Sequence, residues 1–112
     1  MSPPQLTLAV AVILRIFLDD IGTSRYGYEL MRITGFRSGK LYPILARLET
    51  AGWLQRERED IDPSVARRPI RYIYRLTPSG AQVARLELAR LDQQLGGSAL
   101  RRFRPSANGG NA

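Results

Sequence analysis

Cysteine and histidine are both absent from the 112-residue sequence. Their absence excludes disulfides, thiol nucleophiles, zinc sites built from these residues, and catalytic triads that use an imidazole base. A pair of carboxylates is the remaining catalytic option, but most acids stand beside arginines, as in Glu57-Arg58-Glu59, or at predicted helix ends. We interpret these acids as solvated surface residues. The chain is therefore predicted not to be an enzyme and to need no metal or cofactor.

Long hydrophobic runs are also missing. The longest, Leu8 to Leu14, is far shorter than the roughly 20 residues that a membrane span requires. No basic region precedes this run and no small-residue cleavage site follows it, so no secretory signal is evident. We expect a cytoplasmic protein with no membrane partner.

Acidic residues are fewer than basic ones, 10 against 17, and the formal net charge is +7. All the basic residues except Lys40 are arginine. A strong positive excess favours a polyanionic partner, usually nucleic acid or an anionic membrane surface. Because an arginine-rich composition also arises in GC-rich genomes, the positions of the arginines matter more than their number.

Two helices near the ends of the chain favour a homodimer. The first is predicted over Pro3 to Leu18 and is apolar on nearly all sides, which calls for cover by a second subunit. The last follows the cap-and-proline pair Thr77-Pro78 and carries a coiled-coil-like seam. An ordinary amphipathic helix packed on its own core is the alternative. The predicted dimer residues are Leu6, Val10, Ile13, Ala84, Leu88, Leu91 and Leu95.

The middle of the chain predicts a helix-turn-helix and a hairpin. The second helix ends at Thr34, and the third follows Ser38, whose hydroxyl is placed to cap it. Strands are then predicted over Trp53 to Glu59 and over Ile70 to Leu76, the second of which alternates clearly between apolar and polar residues. The fold class is therefore mainly α with a small β-hairpin wing. This is the winged helix-turn-helix, whose third helix enters the major groove of DNA.

Three segments follow from this order. Residues 1–76 are predicted to form the DNA-binding domain, 77–96 the dimerisation helix, and 97–112 a mobile basic tail.

Basic and aromatic side chains are the candidate contacts to double-stranded DNA. Lys40 and Arg47 are predicted on the exposed side of the third helix, with Tyr42 beside them. Wing arginines can meet phosphates or a narrow minor groove. Tyr28 is equally compatible with a place in the core. The full set is Ser38, Lys40, Tyr42, Arg47, Arg67, Arg68, Arg71 and Tyr28.

The remaining aromatic residues are predicted to pack the wing. Trp53, Tyr72 and Tyr74 alternate with polar residues, as the buried face of a strand does. This argues against binding of RNA or single strands, which requires exposed aromatic residues.

Several spaced motifs resemble the PadR family of bacterial transcription regulators. They are YGYEL at 26–30, GKLYPILARLE at 39–49, GWL at 52–54 and RPIRYIYRLTPSG at 68–80. The resemblance implies a winged-helix DNA-binding domain and a homodimer built mainly from the first and last helices. It also implies repression by occupation of an operator with approximate two-fold symmetry.

The sequence departs from the family pattern in places. Lys40 stands where the family usually has a small hydroxyl residue, and the 34–38 connection is shorter than in many relatives. Some relatives hold aromatic drugs between tryptophans of the last helix, which has none here, so drug binding is not carried over. A small-molecule effector stays open. The alternative function is a winged-helix module that binds protein, with incidental basic charge.

Overall fold

The computed structural model describes residues 4–96, which form a mainly helical chain with one small sheet. The elements are α1 (Leu8–Asp19), β1 (Arg25–Tyr26), α2 (Gly27–Thr34), α3 (Ser38–Thr50), β2 (Leu54–Arg58), α4 (Pro63–Ala66), β3 (Tyr72–Leu76) and α5 (Pro78–Gln94). The antiparallel sheet has the strand order β1-β3-β2. The predicted winged helix-turn-helix is confirmed. The predicted tail at 97–112 lies outside the described residues.

The ends of α1 differ from the prediction. The helix begins at Leu8 because the Thr7 side chain accepts a hydrogen bond from the Val10 amide at 3.2 Å and serves as the cap. Pro4, which the predicted helix included, lies outside it.

Most of the apolar surface of α1 is covered within the single chain, although Leu8 at its start is 51% exposed. The helix packs against α5, α2 and β3, so the expectation that it needs a second subunit for cover is wrong. These three elements of the same chain bury seven residues of the helix. The buried residues of α1 are Val10, Ala11, Val12, Ile13, Leu14, Ile16 and Phe17.

The last helix begins as predicted. The Thr77 hydroxyl accepts a hydrogen bond from the Gly80 amide at 2.9 Å, and Pro78 is in the first turn. Gly80 lies directly on the Trp53 backbone, where a Cβ would lie 2.8 Å from the Trp53 Cα. This contact fixes the start of α5 against the base of the wing.

The predicted dimer residues divide into two groups. Val10 and Ile13 of α1 are buried in the single chain, as are Ala84 and Leu88 of α5. The other three are Leu6 and Leu91, which are half-buried, and Leu95, which is 49% exposed. These four buried residues belong to the core of the single chain, as the alternative interpretation of the last helix predicts. A dimer role for the set stays a prediction.

Candidate nucleic-acid interface

The outward face of α3 is set by its apolar stripe. Leu41, Ile44, Leu45 and Leu48 are all buried against the rest of the domain. Since an α-helix has 3.6 residues per turn, Lys40 and Arg47 lie on the same edge of the opposite face. Both side chains are exposed, as predicted.

Small residues occupy the middle of that face, a feature that sequence analysis missed. They are exposed and lie between the basic edge and Tyr42: Gly39, Pro43, Ala46 and Thr50. Short side chains allow the helix backbone to approach a partner surface closely. The helical periodicity of residues 39–50 carries this signal, because it separates the exposed small residues from the buried apolar ones.

The role predicted for Ser38 as a helix cap is wrong. The helix begins one residue earlier, so Ser38 is its first residue and Arg37 holds the cap position without a side-chain capping bond. Ser38 is exposed at the same end of α3 as Lys40, whose Nζ lies 4.4 Å from the Phe36 ring centroid. The Ser38 hydroxyl is thus exposed and does not cap α3.

A cavity of about 360 Å³ brings three of the predicted residues together from three elements. Tyr28 enters from α2, Tyr42 from α3, and Arg71 from the wing, with Tyr72 completing the rim. The rim therefore carries phenol hydroxyls and a guanidinium, which are hydrogen-bond donors suited to phosphate oxygens.

Tyr28 is a surface residue and not a core residue. It is 43% exposed, and its ring stacks on Tyr26 with 5.4 Å between centroids. The Arg71 guanidinium lies 4.6 Å from the Tyr28 ring centroid, and that of Arg32 lies 6.0 Å away. Stacking on the ring orients these cations at the surface.

The aromatic residues of the wing are only partly committed to packing. Trp53 and Tyr74 are buried, as predicted, and burial raises the pKa of Tyr74. Tyr72 is 42% exposed, and the Arg56 guanidinium lies 4.5 Å from its ring centroid, so the packing role predicted for Tyr72 is wrong. Tyr72 lies nearer the wing tip, where the core beneath the sheet ends.

The wing arginines have different surroundings. Arg67 is exposed and adopts the left-handed conformation at the end of α4, with φ at 57°. Arg71 is exposed beside Tyr28. Arg68 is half-buried, and its guanidinium donates to both carboxylate oxygens of Glu59, at 2.8 and 2.9 Å.

Glu59 corrects the interpretation of the acids as solvated surface residues. It is buried, and it also accepts hydrogen bonds from the Tyr26 hydroxyl at 3.0 Å and the Arg71 amide at 3.2 Å. The Arg68 guanidinium holds the pKa of Glu59 at about 2, and the bond to Glu59 raises the pKa of Tyr26. No local pattern in the sequence distinguishes Glu59 from Glu57.

Residues 4–96 contain neither an acidic metal-binding cluster nor a membrane-spanning helix. No group of three or more acidic side chains in this range is placed to hold a metal ion. None of its helices is both long enough and apolar enough to cross a bilayer.

Comparisons with known proteins agree with the winged-helix fold. A regulator of the PadR family from Eggerthella lenta has a TM-score of 0.61 and 25% identity over 75% of each chain. A Streptococcus transcriptional regulator has a TM-score of 0.53 and 27% identity, covering 81% of this chain and 95% of the other. Curated proteins gave no significant match.

Bacillus subtilis PadR in complex with operator DNA is similar in fold. Its TM-score is 0.55 and its identity 20%, and the match covers 73% of this chain but 48% of the Bacillus chain. The family model for the PadR-like transcriptional regulators matches residues 16–86, more than half of the sequence. The chain belongs to the PadR-like family of transcriptional regulators.

Proposed function

We propose that the protein regulates transcription by binding duplex DNA through the exposed face of α3 and the adjoining wing. The observation behind this proposal is the shared cavity at which Tyr28, Tyr42 and Arg71 meet, on the side of the exposed α3 face away from Lys40 and Arg47. Donors from three separate elements thereby face one partner. A phosphate backbone beside a major groove presents acceptors over such a surface.

The basic residues of α3 and those of the wing have different roles in this proposal. Lys40 and Arg47 lie on the exposed face of α3, where they can reach guanine edges in the major groove. Arg67 and Arg71 extend the positive surface along the wing, toward phosphates or a minor groove. The small residues between these groups let α3 enter the groove without steric hindrance.

A homodimer acting as a repressor is the form we propose for the regulator. Two copies of α3 presented on one side, about 34–36 Å apart, would match successive major grooves of an operator with two-fold symmetry. Occupation of that operator would exclude other proteins from the same DNA. Since four of the predicted dimer residues are buried in the single chain, the contact falls to Leu6, Leu91 and Leu95.

Selection of bound sequences from a random duplex library tests this function. The proposal predicts enrichment of one motif with two similar half-sites related by a two-fold axis. The half-site centres should lie about 10 base pairs apart or at a multiple of that spacing. Failure to enrich any motif at moderate salt, with equal retention of single strands, would contradict sequence-specific duplex binding.

A further inference from the structure

Glu59 is the only residue in the 4–96 range that is buried and carries a charged side chain. A carboxylate removed from water is destabilising unless it is paired and hydrogen-bonded. Here a bidentate bond from Arg68, a bond from the Tyr26 hydroxyl and one from the Arg71 amide surround it. We call this group, comprising Glu59, Arg68, Tyr26 and the Arg71 backbone, the Glu59 lock.

The Glu59 lock holds the tip of the wing in one conformation. The β2–β3 ladder ends at the pair Arg58 and Tyr72. Beyond it, the Glu59 amide donates to the Arg71 carbonyl at 3.0 Å, and the Arg71 amide donates back to the Glu59 side chain. Arg71 is thereby held at the position where its guanidinium stacks on Tyr28.

Arg68 reaches the lock through a strained turn. Arg67, just before it, is the one non-glycine residue with a positive φ in the described part of the chain. Such a conformation persists where surrounding contacts hold it. Tyr26 joins the lock from the start of α2, so the wing tip and the helix-turn-helix are fixed relative to each other.

Attraction of DNA by positive charge does not explain why an acidic residue, Glu59, lies in the wing. Glu59 lies among the wing arginines, so it lowers the positive potential of the surface assigned to DNA. The Arg68 guanidinium faces this carboxylate, and only 31% of its side chain is exposed. A role other than attraction of phosphates therefore accounts better for the pair.

We propose that Glu59 and Arg68 are positioning residues, which set the wing so that Arg71 and Tyr28 meet DNA together. Arg68 is then not one of the phosphate contacts. This inference rests on the proposed function and names the residues that organise its binding surface.

The variant Glu59→Gln distinguishes a positioning role of Glu59 from a purely electrostatic one, because the two predict opposite changes in affinity for DNA. It removes a negative charge, which by electrostatics alone strengthens binding to the duplex found by selection. The lock predicts instead a loss of affinity of about 2- to 30-fold, the range for residues that act on a site without touching its ligand. The matched control is Glu57→Gln, which removes an exposed acid from the adjacent strand and should leave binding unchanged or slightly stronger.

Arg68→Lys separates positioning from phosphate contact. Lysine keeps the charge and can contact a phosphate, but it lacks the planar fork that binds both carboxylate oxygens. The lock predicts that Arg68→Lys weakens binding as much as Glu59→Gln, and that the double variant is no weaker than either one. Near-normal affinity of Arg68→Lys would overturn the proposal.

Amide hydrogen exchange in the free protein gives a readout that needs no DNA. The lock predicts faster exchange of the Arg71 amide in both variants, while amides of α1 stay protected. If either variant unfolds, Tyr26→Phe is the substitute, because it removes only one hydrogen bond to Glu59. It should also speed exchange of the Arg71 amide and weaken DNA binding, but by less. Unchanged Arg71 exchange in Glu59→Gln and Arg68→Lys would contradict the lock, whereas absence of duplex binding by the unmodified protein would contradict the proposed function alone.

Discussion

The Tyr42 ring of α3 lies directly on the backbone of Gly27, the first residue of α2. A Cβ at Gly27 would lie 2.8 Å from the Tyr42 Cε1 and closer still to its hydroxyl. The position of a tyrosine on the proposed recognition helix thus depends on a glycine in the preceding helix.

Gly27→Ala is expected to displace the Tyr42 ring, since the end of a side chain moves more easily than a backbone. The result is weaker binding to the selected duplex, by an amount no larger than that of Tyr42→Ala. That limit is on the order of 1–3 kcal/mol if Tyr42 contacts a base. Fluorescence anisotropy measures both variants, and Gly27→Ala should have no further effect when Tyr42 is already alanine. An additive loss in the double variant would show that Gly27 acts by another route.

Gly80→Ala tests the contact between the last helix and the base of the wing. The added Cβ meets Trp53 backbone atoms, which cannot turn away as a side chain can, so the free energy of unfolding should fall by about 1–3 kcal/mol. Urea denaturation measures this loss. Gly39→Ala is the matched control, because no atom lies within 4 Å of its Cβ position. As Gly39 is helical, that control should be neutral or stabilising by up to about 1 kcal/mol.

The stability of the protein in acid should depend on Glu59. Its pKa is about 2 in the folded protein, below the ordinary value of 4.5, and the bond from Arg68 is the largest cause. The lowered pKa means that this contribution to stability is present above pH 4.5 and is lost as the pH falls toward 2. The difference in the free energy of unfolding between the unmodified protein and Glu59→Gln should therefore narrow over that interval. A difference that stays constant from pH 6 to pH 2 is incompatible with this pKa.

The proposed dimer contact at the C-terminal end of α5 can be tested with two exposed leucines. Leu95 is 49% and Leu86 63% exposed. Nine residues make two and a half turns, so they lie on opposite sides of the helix axis. Leu95→Gln is expected to shift the sedimentation equilibrium toward monomer, and Leu86→Gln is the control. Dissociation caused by Leu86→Gln alone would move the interface to the other side of α5.

Features that depend on local pattern could be predicted from the sequence. The exposure of Lys40 and Arg47 follows from the apolar spacing of α3, and the start of α5 follows from Thr77-Pro78. Burial of Glu59 could not be predicted, because its partner Tyr26 lies 33 residues away. The cover over α1 also depends on tertiary packing, since an apolar helix has the same sequence pattern in the core of one chain as between two.

We propose that the α3 face, and not the overall positive charge, binds duplex DNA. This proposal is tested most directly by comparing Lys40→Ala/Arg47→Ala with Arg85→Ala/Arg90→Ala at one salt concentration. Both double variants remove two exposed cations, the second pair from α5. Sedimentation equilibrium should first show that both double variants have the same oligomeric state as the unmodified protein. The expected result is a loss of binding free energy on the order of 1–3 kcal/mol for each α3 residue that contacts a base, and near-normal affinity for the α5 variant. Equal losses in the two variants would contradict it.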